Sequence, residues 1–215
     1  MTVMEPTDYN RRMFDEAHRR APGDEPLPAI VRQTLRELKG KRVLHVLCGN
    51  GFATAELAEL GAVATGVDPS QETLDAARER WPSILWVHGD AEALPAELRR
   101  GRFDLVYSGE GVLARIRDID AWARALGDAV RSNGELLVFE DHPVADCVDG
   151  LLHWRGDYFV DPAEPERIWR LGQIVTALAR VGFSVEALEE YPGGTGRRRH
   201  DRRVPGTFLL YARRA

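Results

Sequence analysis

Lys41-Arg42-Val43-Leu44-His45-Val46-Leu47-Cys48-Gly49-Asn50-Gly51 decides how this chain is read. The apolar run Val43, Leu44, Val46 and Leu47 reads as a strand buried on both faces, and Cys48 to Gly51 ends it in a tight glycine turn. Phe52 to Leu60 has helical composition and places Ala53, Leu57 and Leu60 on one face. Strand, glycine turn and helix form a nucleotide-binding opening. Glycines belong there because a side chain would hold a ligand away from the backbone and from the N–H groups at the helix start. A second apolar strand, Ala62 to Val67, then delivers Asp68, whose carboxylate can accept both hydroxyls of a ribose.

Val43-Leu44-His45-Val46-Leu47-Cys48-Gly49-Asn50-Gly51 resembles the first motif of the class I S-adenosylmethionine-dependent methyltransferases, usually hydrophobic-Leu-Asp-x-Gly-Cys-Gly-x-Gly. His45 stands where that family has an acid and Leu47 where it has its first glycine. The family's aspartate supports the loop, so here the turn must be held in another way. The resemblance spans residues 40 to 190 and points to a small-molecule branch. It implies an α/β fold, a Rossmann-like doubly wound seven-stranded sheet of order 3-2-1-4-5-7-6 with strand 7 antiparallel. The implied cofactor is S-adenosyl-L-methionine, leaving S-adenosyl-L-homocysteine. By the same resemblance it is held by Cys48, Gly49, Asn50, Gly51, Asp68, Pro69, Asp90, Ala91, Ser108 and Gly109.

A chain of 215 residues suits one sizeable α/β core, and 44% hydrophobic with 29% charged residues is the balance of an ordinary soluble protein. No apolar run approaches the ~20 residues of a membrane span, and Met1 to Asp8 lacks the basic start and apolar stretch of a signal peptide. The expected setting is the cytoplasm, without a membrane partner, as a monomer or homodimer. Cys48 and Cys147 are the only cysteines, with neither a disulfide framework nor metal-ligand spacing around them, so no metal is expected. A net charge of -5 argues against a nucleic-acid partner. The expected organisation is one domain: a helical lid over 1–40, a cofactor core over 41–140, a substrate-side insertion over 141–166, and a closing helix and antiparallel strand pair over 167–215.

In the lid, Tyr9, Met13, Phe14 and Ala17 recur at helical spacing, and Val31, Leu35 and Leu38 make a second amphipathic helix. The pair either packs on the sheet edge or, as the resemblance implies, covers the cofactor with Tyr9 or Phe14 near the methyl group. After Asp68, a helix opens at Pro69 to Glu72 with Leu74, Ala77 and Trp81 on one face, and Ile84 to His88 is a third strand. Asp90 there is an N-cap for a helix through Ala93 and Leu94, or, by resemblance, the partner of the adenine amino group beside the Ala91 N–H. Phe103 to Ser108 is the fourth strand, followed by Glu110, which is either a solvated loop acid or a catalytic one. Asp118 to Arg131 forms a helix, Ser132-Asn133-Gly134 its stop, and Glu135 to Glu140 the fifth strand.

Asp141 to Glu166 is too long for an ordinary connection. His142 and His153 there are candidate bases, and Trp154, Tyr158 and Phe159 are suited to enclosing a small-molecule substrate. The alternative is a satellite cluster covering the sheet edge, with His142 bonding a loop carbonyl beside Pro143. Glu140-Asp141-His142-Pro143 resembles a Glu-x-His-Pro sequence that, in the related branch, ends the strand facing the acceptor pocket. Ile168, Leu171, Val175 and Leu178 share a helical face that Gly182 ends, and Ser184 to Glu189 and Thr207 to Ala212 close the sheet as an antiparallel pair. Between them, Arg197 to Arg203 is a basic run, read as a solvated surface or an anion site.

The reaction expected from the resemblance is methyl transfer to an O or N atom of a small molecule, with a secondary metabolite as the expected kind of acceptor. His142, His153 and Glu110 are the candidate bases for a hydroxyl acceptor. Two other readings stand beside it. The fold can bind the cofactor without transferring the methyl group, as a cyclase or regulatory protein, or it can modify RNA through the arginine run.

Overall fold

The computed structural model describes residues 27–35, 37–148, 153–154, 156–159, 168–192 and 203–215. Tyr9, Phe14 and the first lid helix lie outside the described residues, as do residues 197–202 of the arginine run and part of the 141–166 insertion.

Among the described residues seven strands form one sheet: β1 (Arg42–Val46), β2 (Val63–Asp68), β3 (Leu85–His88), β4 (Phe103–Gly109), β5 (Val130–Asp141), β6 (Phe183–Tyr191) and β7 (Thr207–Arg214). Their order is 3-2-1-4-5-7-6. β1 to β5 run parallel, and β7 runs antiparallel between β5 and β6. The helices are α1 (Ala29–Thr34), α2 (Phe52–Glu59), α3 (Gln71–Arg80), α4 (Ile119–Ala129) and α5 (Leu171–Arg180). None is long and apolar enough to cross a membrane.

The apolar runs explain this arrangement. Because successive side chains leave a strand on opposite faces, Val43, Leu105, Leu137 and Leu209 enter one cluster while Leu44, Val106, Leu136 and Leu210 enter the other. The first cluster receives Val31 of α1 and Leu57 of α2, and the second receives Trp122 and Leu126 of α4 with Ile174 and Leu178 of α5. A strand with apolar residues at every position is therefore stable only at the sheet's centre, where β1 and β4 lie.

Several local expectations change. The turns after β3 lead to a short 3-10 helix at Ala96–Leu98, so Asp90 caps no α-helix. The helix expected over 118–131 ends at Ala129, because Val130 already pairs with Phe103 of β4. Ile168 precedes α5, whose start is held by the Arg170 N–H donating to Gln173 Oε1 at 3.1 Å. The buried face of α5 is Ile174, Ala177 and Leu178, with Leu171 and Val175 only partly covered, a rotation that the crowded 3–4 spacing of apolar residues could not resolve.

Candidate active site

The carboxyl ends of β1, β2, β3 and β4 open on one edge of the sheet, the edge at which doubly wound folds bind ligands. At the end of β1 the backbone enters the left-handed region at Leu47 (φ 53°), Gly49 (φ 52°) and Gly51 (φ 86°). Leu47, where the resembled motif has a glycine, thus adopts a backbone conformation that favours glycine. Gly51 is the N-cap of α2 and offers no side-chain oxygen, so α2 begins with open N–H groups. A Cβ on Gly51 would lie 2.5 Å from Trp86 Cη2, whereas a Cβ on Gly49 would meet nothing within 4 Å. Gly51 serves packing, and Gly49 faces free space.

The support that the missing acid would have supplied comes from two places. Asp68, 2% exposed, accepts the Gly49 N–H on Oδ2 at 3.0 Å and the Ser70 N–H on Oδ1 at 2.9 Å. His45, in the acid's own position, is buried with its Nδ1 2.8 Å from Thr54 Oγ1, tying β1 to the first turn of α2. Burial lowers the His45 pKa to about 3, so its ring is neutral and its role is a hydrogen bond rather than a charge. Its ring also lies 4.9 Å from that of Tyr107. Cys48 is buried beside Leu74, Ala77 and Trp86, and burial together with the Asp68 charge pushes its thiol well above the usual range.

At the end of β4, Ser108 is fully buried and its Oγ has no hydrogen-bond partner among the described residues. Gly109 is required by close approach, since a Cβ there would lie 2.6 Å from the Phe139 oxygen. Glu110 adopts φ 67° and its Oε1 accepts the Tyr107 hydroxyl at 2.8 Å. From the end of β5, Glu140 accepts the Gly111 N–H on Oε2 at 2.9 Å and the Val112 and Leu113 N–H groups on Oε1 at 2.8 and 3.3 Å. Burial pushes the Glu140 carboxyl up to about 8 against the pull of these donors. Its side chain serves the β4 loop, where the resemblance placed the strand end toward an acceptor pocket.

The remaining site residues divide. Pro69 is exposed and its carbonyl accepts from His88 Nε2 at 2.9 Å. Asp90 is exposed, with Oδ1 taking the Glu92 N–H at 2.7 Å, while Ala91 is buried. Asn50 is half-buried in the turn. His142 Nδ1 accepts the Val144 N–H at 3.1 Å and its Nε2 lies 2.8 Å from Glu190 Oε1. The Nδ1 contact caps the 3-10 turn at Pro143–Asp146. His153 is exposed, and Trp154 and Phe159 are 65% and 73% exposed. Tyr158 and Phe159 meet edge to face at 5.3 Å, with the Arg170 guanidinium over Phe159.

A methyltransferase domain profile matches residues 43–134. The chain is 28% identical over 180 residues to an uncharacterized methyltransferase of Synechocystis sp., covering 80% of this chain and 81% of that one. It is 29% identical over 157 residues to a ubiquinone biosynthesis O-methyltransferase of Azorhizobium caulinodans, covering 62% of this chain and only 58% of that protein's length. A solved S-adenosylmethionine-dependent methyltransferase from Mesorhizobium loti superposes with a TM-score of 0.69 at 25% identity, over 86% of this chain and 96% of that one. Together these matches support a class I S-adenosylmethionine-dependent methyltransferase. S-adenosylmethionine is the cofactor of this family, and the residues present fit it. Among the described residues a Cβ on Gly49 meets nothing within 4 Å, the Ser108 hydroxyl has no partner, and each Asp68 oxygen, bonded to one N–H, keeps a lone pair for a further donor.

Proposed function

We propose that this methyltransferase transfers a methyl group to an oxygen atom of a small molecule. The observation that carries the reading is the open space at Gly49, whose N–H is held by the Asp68 carboxylate. The O-methyltransferase name of the Azorhizobium relative supports oxygen as the acceptor atom. When bound, the cofactor supplies a methyl group on a sulfonium, already activated for displacement.

The chain's own contribution is positioning, which can account for a large part of the barrier in a two-reactant step. Asp68 would accept the ribose hydroxyls, Asp90 and the Ala91 N–H would hold the adenine, and Ser108 and Gly109 would lie along the methionine half. A hydroxyl acceptor must also lose its proton. We assign that proton to Glu110, just after β4, a reading supported by the Tyr107 hydroxyl that orients its carboxylate. The test is incubation with S-adenosylmethionine and a panel of hydroxylated, carboxylated and amino acceptors, reading S-adenosylhomocysteine and the mass of the product. O-methylated product that is lost in Glu110→Gln supports the reading. Methylation confined to nitrogen, or cofactor binding with no acceptor turned over, overturns it.

A further inference from the structure

Two glutamate side chains from outside the β4–α4 connection fasten it at its two ends. Near β4, Glu140 takes the N–H groups of Gly111, Val112 and Leu113. Near α4, Oε1 of Glu92, from the turn after β3, takes the N–H groups of Arg117 and Asp118. Between them Trp169 Nε1 donates to the Ile116 oxygen at 2.9 Å, Arg115 and Ile116 donate within the 3-10 turn, and Glu110 donates to Phe139. With Ala114 set aside, each N–H from Glu110 to Asp118 therefore has an acceptor. A surface connection normally leaves such groups to water. This one is committed in advance, although Glu110 and Gly111 both adopt left-handed backbone.

We infer that Glu92 and Glu140 are positioning residues that set the two ends of the cofactor site separately, Glu92 the adenine end and Glu140 the methionine end. The inference rests on the cofactor placement proposed above. Glu92 joins the turn that carries Asp90 and Ala91 to the start of α4, so it sets the width of the slot for the base. Glu140 shapes the segment directly after Ser108 and Gly109, beside the end of β1, where the amino-acid half would lie. Asp118, the second residue that Glu92 holds, is also the N-cap of α4, bonding the Ala121 N–H at 2.9 Å, so the Glu92 contact is fixed to a rigid element.

Methylthioadenosine carries the adenine end alone and S-adenosylhomocysteine carries both ends, so the pair of ligands reads the two residues apart. In calorimetric titrations, Glu92→Gln weakens both ligands by the same factor, about tenfold, without lowering the thermal midpoint. Glu140→Gln weakens S-adenosylhomocysteine by about tenfold or more and leaves methylthioadenosine within about twofold of wild type. An equal loss of both ligands in Glu140→Gln, or unchanged affinities in Glu92→Gln, overturns the inference. Wild-type protein that binds neither ligand overturns the cofactor placement itself. Hydrogen exchange on the ligand-free wild type gives a second reading if Glu140→Gln does not fold. Amides of Gly111 to Leu113, Arg117 and Asp118 are expected to be protected, and exchange at the rate of an open loop contradicts the inference.

Discussion

The turn after β1 and the loop after β4 lie side by side, because Val46 of β1 pairs with Ser108 of β4, yet they are held in opposite ways. The turn is short and shaped by its own backbone, with positive φ at Leu47, Gly49 and Gly51 and one neighbouring carboxylate, Asp68, beneath it. The loop is longer and takes its shape from acceptors on other strands and turns, Glu140 and Glu92. Local geometry suffices where the chain must bring bare backbone to a ligand. Distant carboxylates are needed where a longer segment must stand still without regular structure.

The contrast is broken most severely at Asp68. Asp68→Ala leaves the Gly49 and Ser70 N–H groups without their acceptor in a buried setting, at about 1–3 kcal/mol each. Denaturant unfolding is expected to show a loss of about 3–5 kcal/mol, and calorimetry no measurable cofactor binding. Full stability in the variant would mean that the turn holds itself. Gly51→Ala comes next. A left-handed residue with a side chain costs about 1–2 kcal/mol, and crowding against the rigid Trp86 ring adds about 1–2 kcal/mol. The thermal midpoint should fall accordingly, and a Trp86→Leu background should recover part of it, which tests packing against strain.

The two regions also answer pH with opposite signs. His45 is held near 3 when folded against an ordinary 6.5, so below 6.5 the unfolded chain binds a proton that the folded chain refuses. This contribution to stability is lost as pH falls from about 6.5 toward 3, with a slope of at most about 1.4 kcal/mol per unit. Glu140 is raised to about 8 from 4.5, so the folded chain binds the extra proton in that window. Its contribution is present below 4.5 and is lost as pH rises through 8. Urea unfolding across pH 4 to 8.5 should therefore show His45→Gln flattening the acid side alone. A variant that changes the alkaline side instead would place the titration elsewhere.

This difference in how the regions are held also explains what is legible in the sequence. Apolar runs such as Val43 to Val46 and Leu105 to Tyr107 announce central strands, and the glycines and Asp68 announce the ligand edge, because periodicity and backbone freedom are properties of neighbouring residues. Leu47 reads as a departure from the family motif, yet the fold keeps the left-handed conformation there with leucine in place of glycine. The partners of His45 and the roles of Glu92 and Glu140 are not legible. A carboxylate that accepts backbone N–H groups more than twenty positions away leaves no pattern of its own, since any residue can supply those groups. His142 stands on the expected edge, and its Nδ1 accepts the Val144 N–H two residues on, a local bond that leaves no mark in the spacing.

The smallest expected effect on stability belongs to Gly49→Ala, and it tests the central claim most directly. Gly49 has φ 52°, but a methyl group on its Cα would meet nothing within 4 Å, so the substitution should cost only about 1 kcal/mol of stability from backbone strain. The same methyl group would stand in the space assigned to the cofactor. Calorimetric titration of S-adenosylhomocysteine should therefore show saturable one-site binding to wild type and at least about tenfold weaker binding to the folded Gly49→Ala protein. Equal affinity in the two proteins would contradict the placement of the cofactor over the glycine turn.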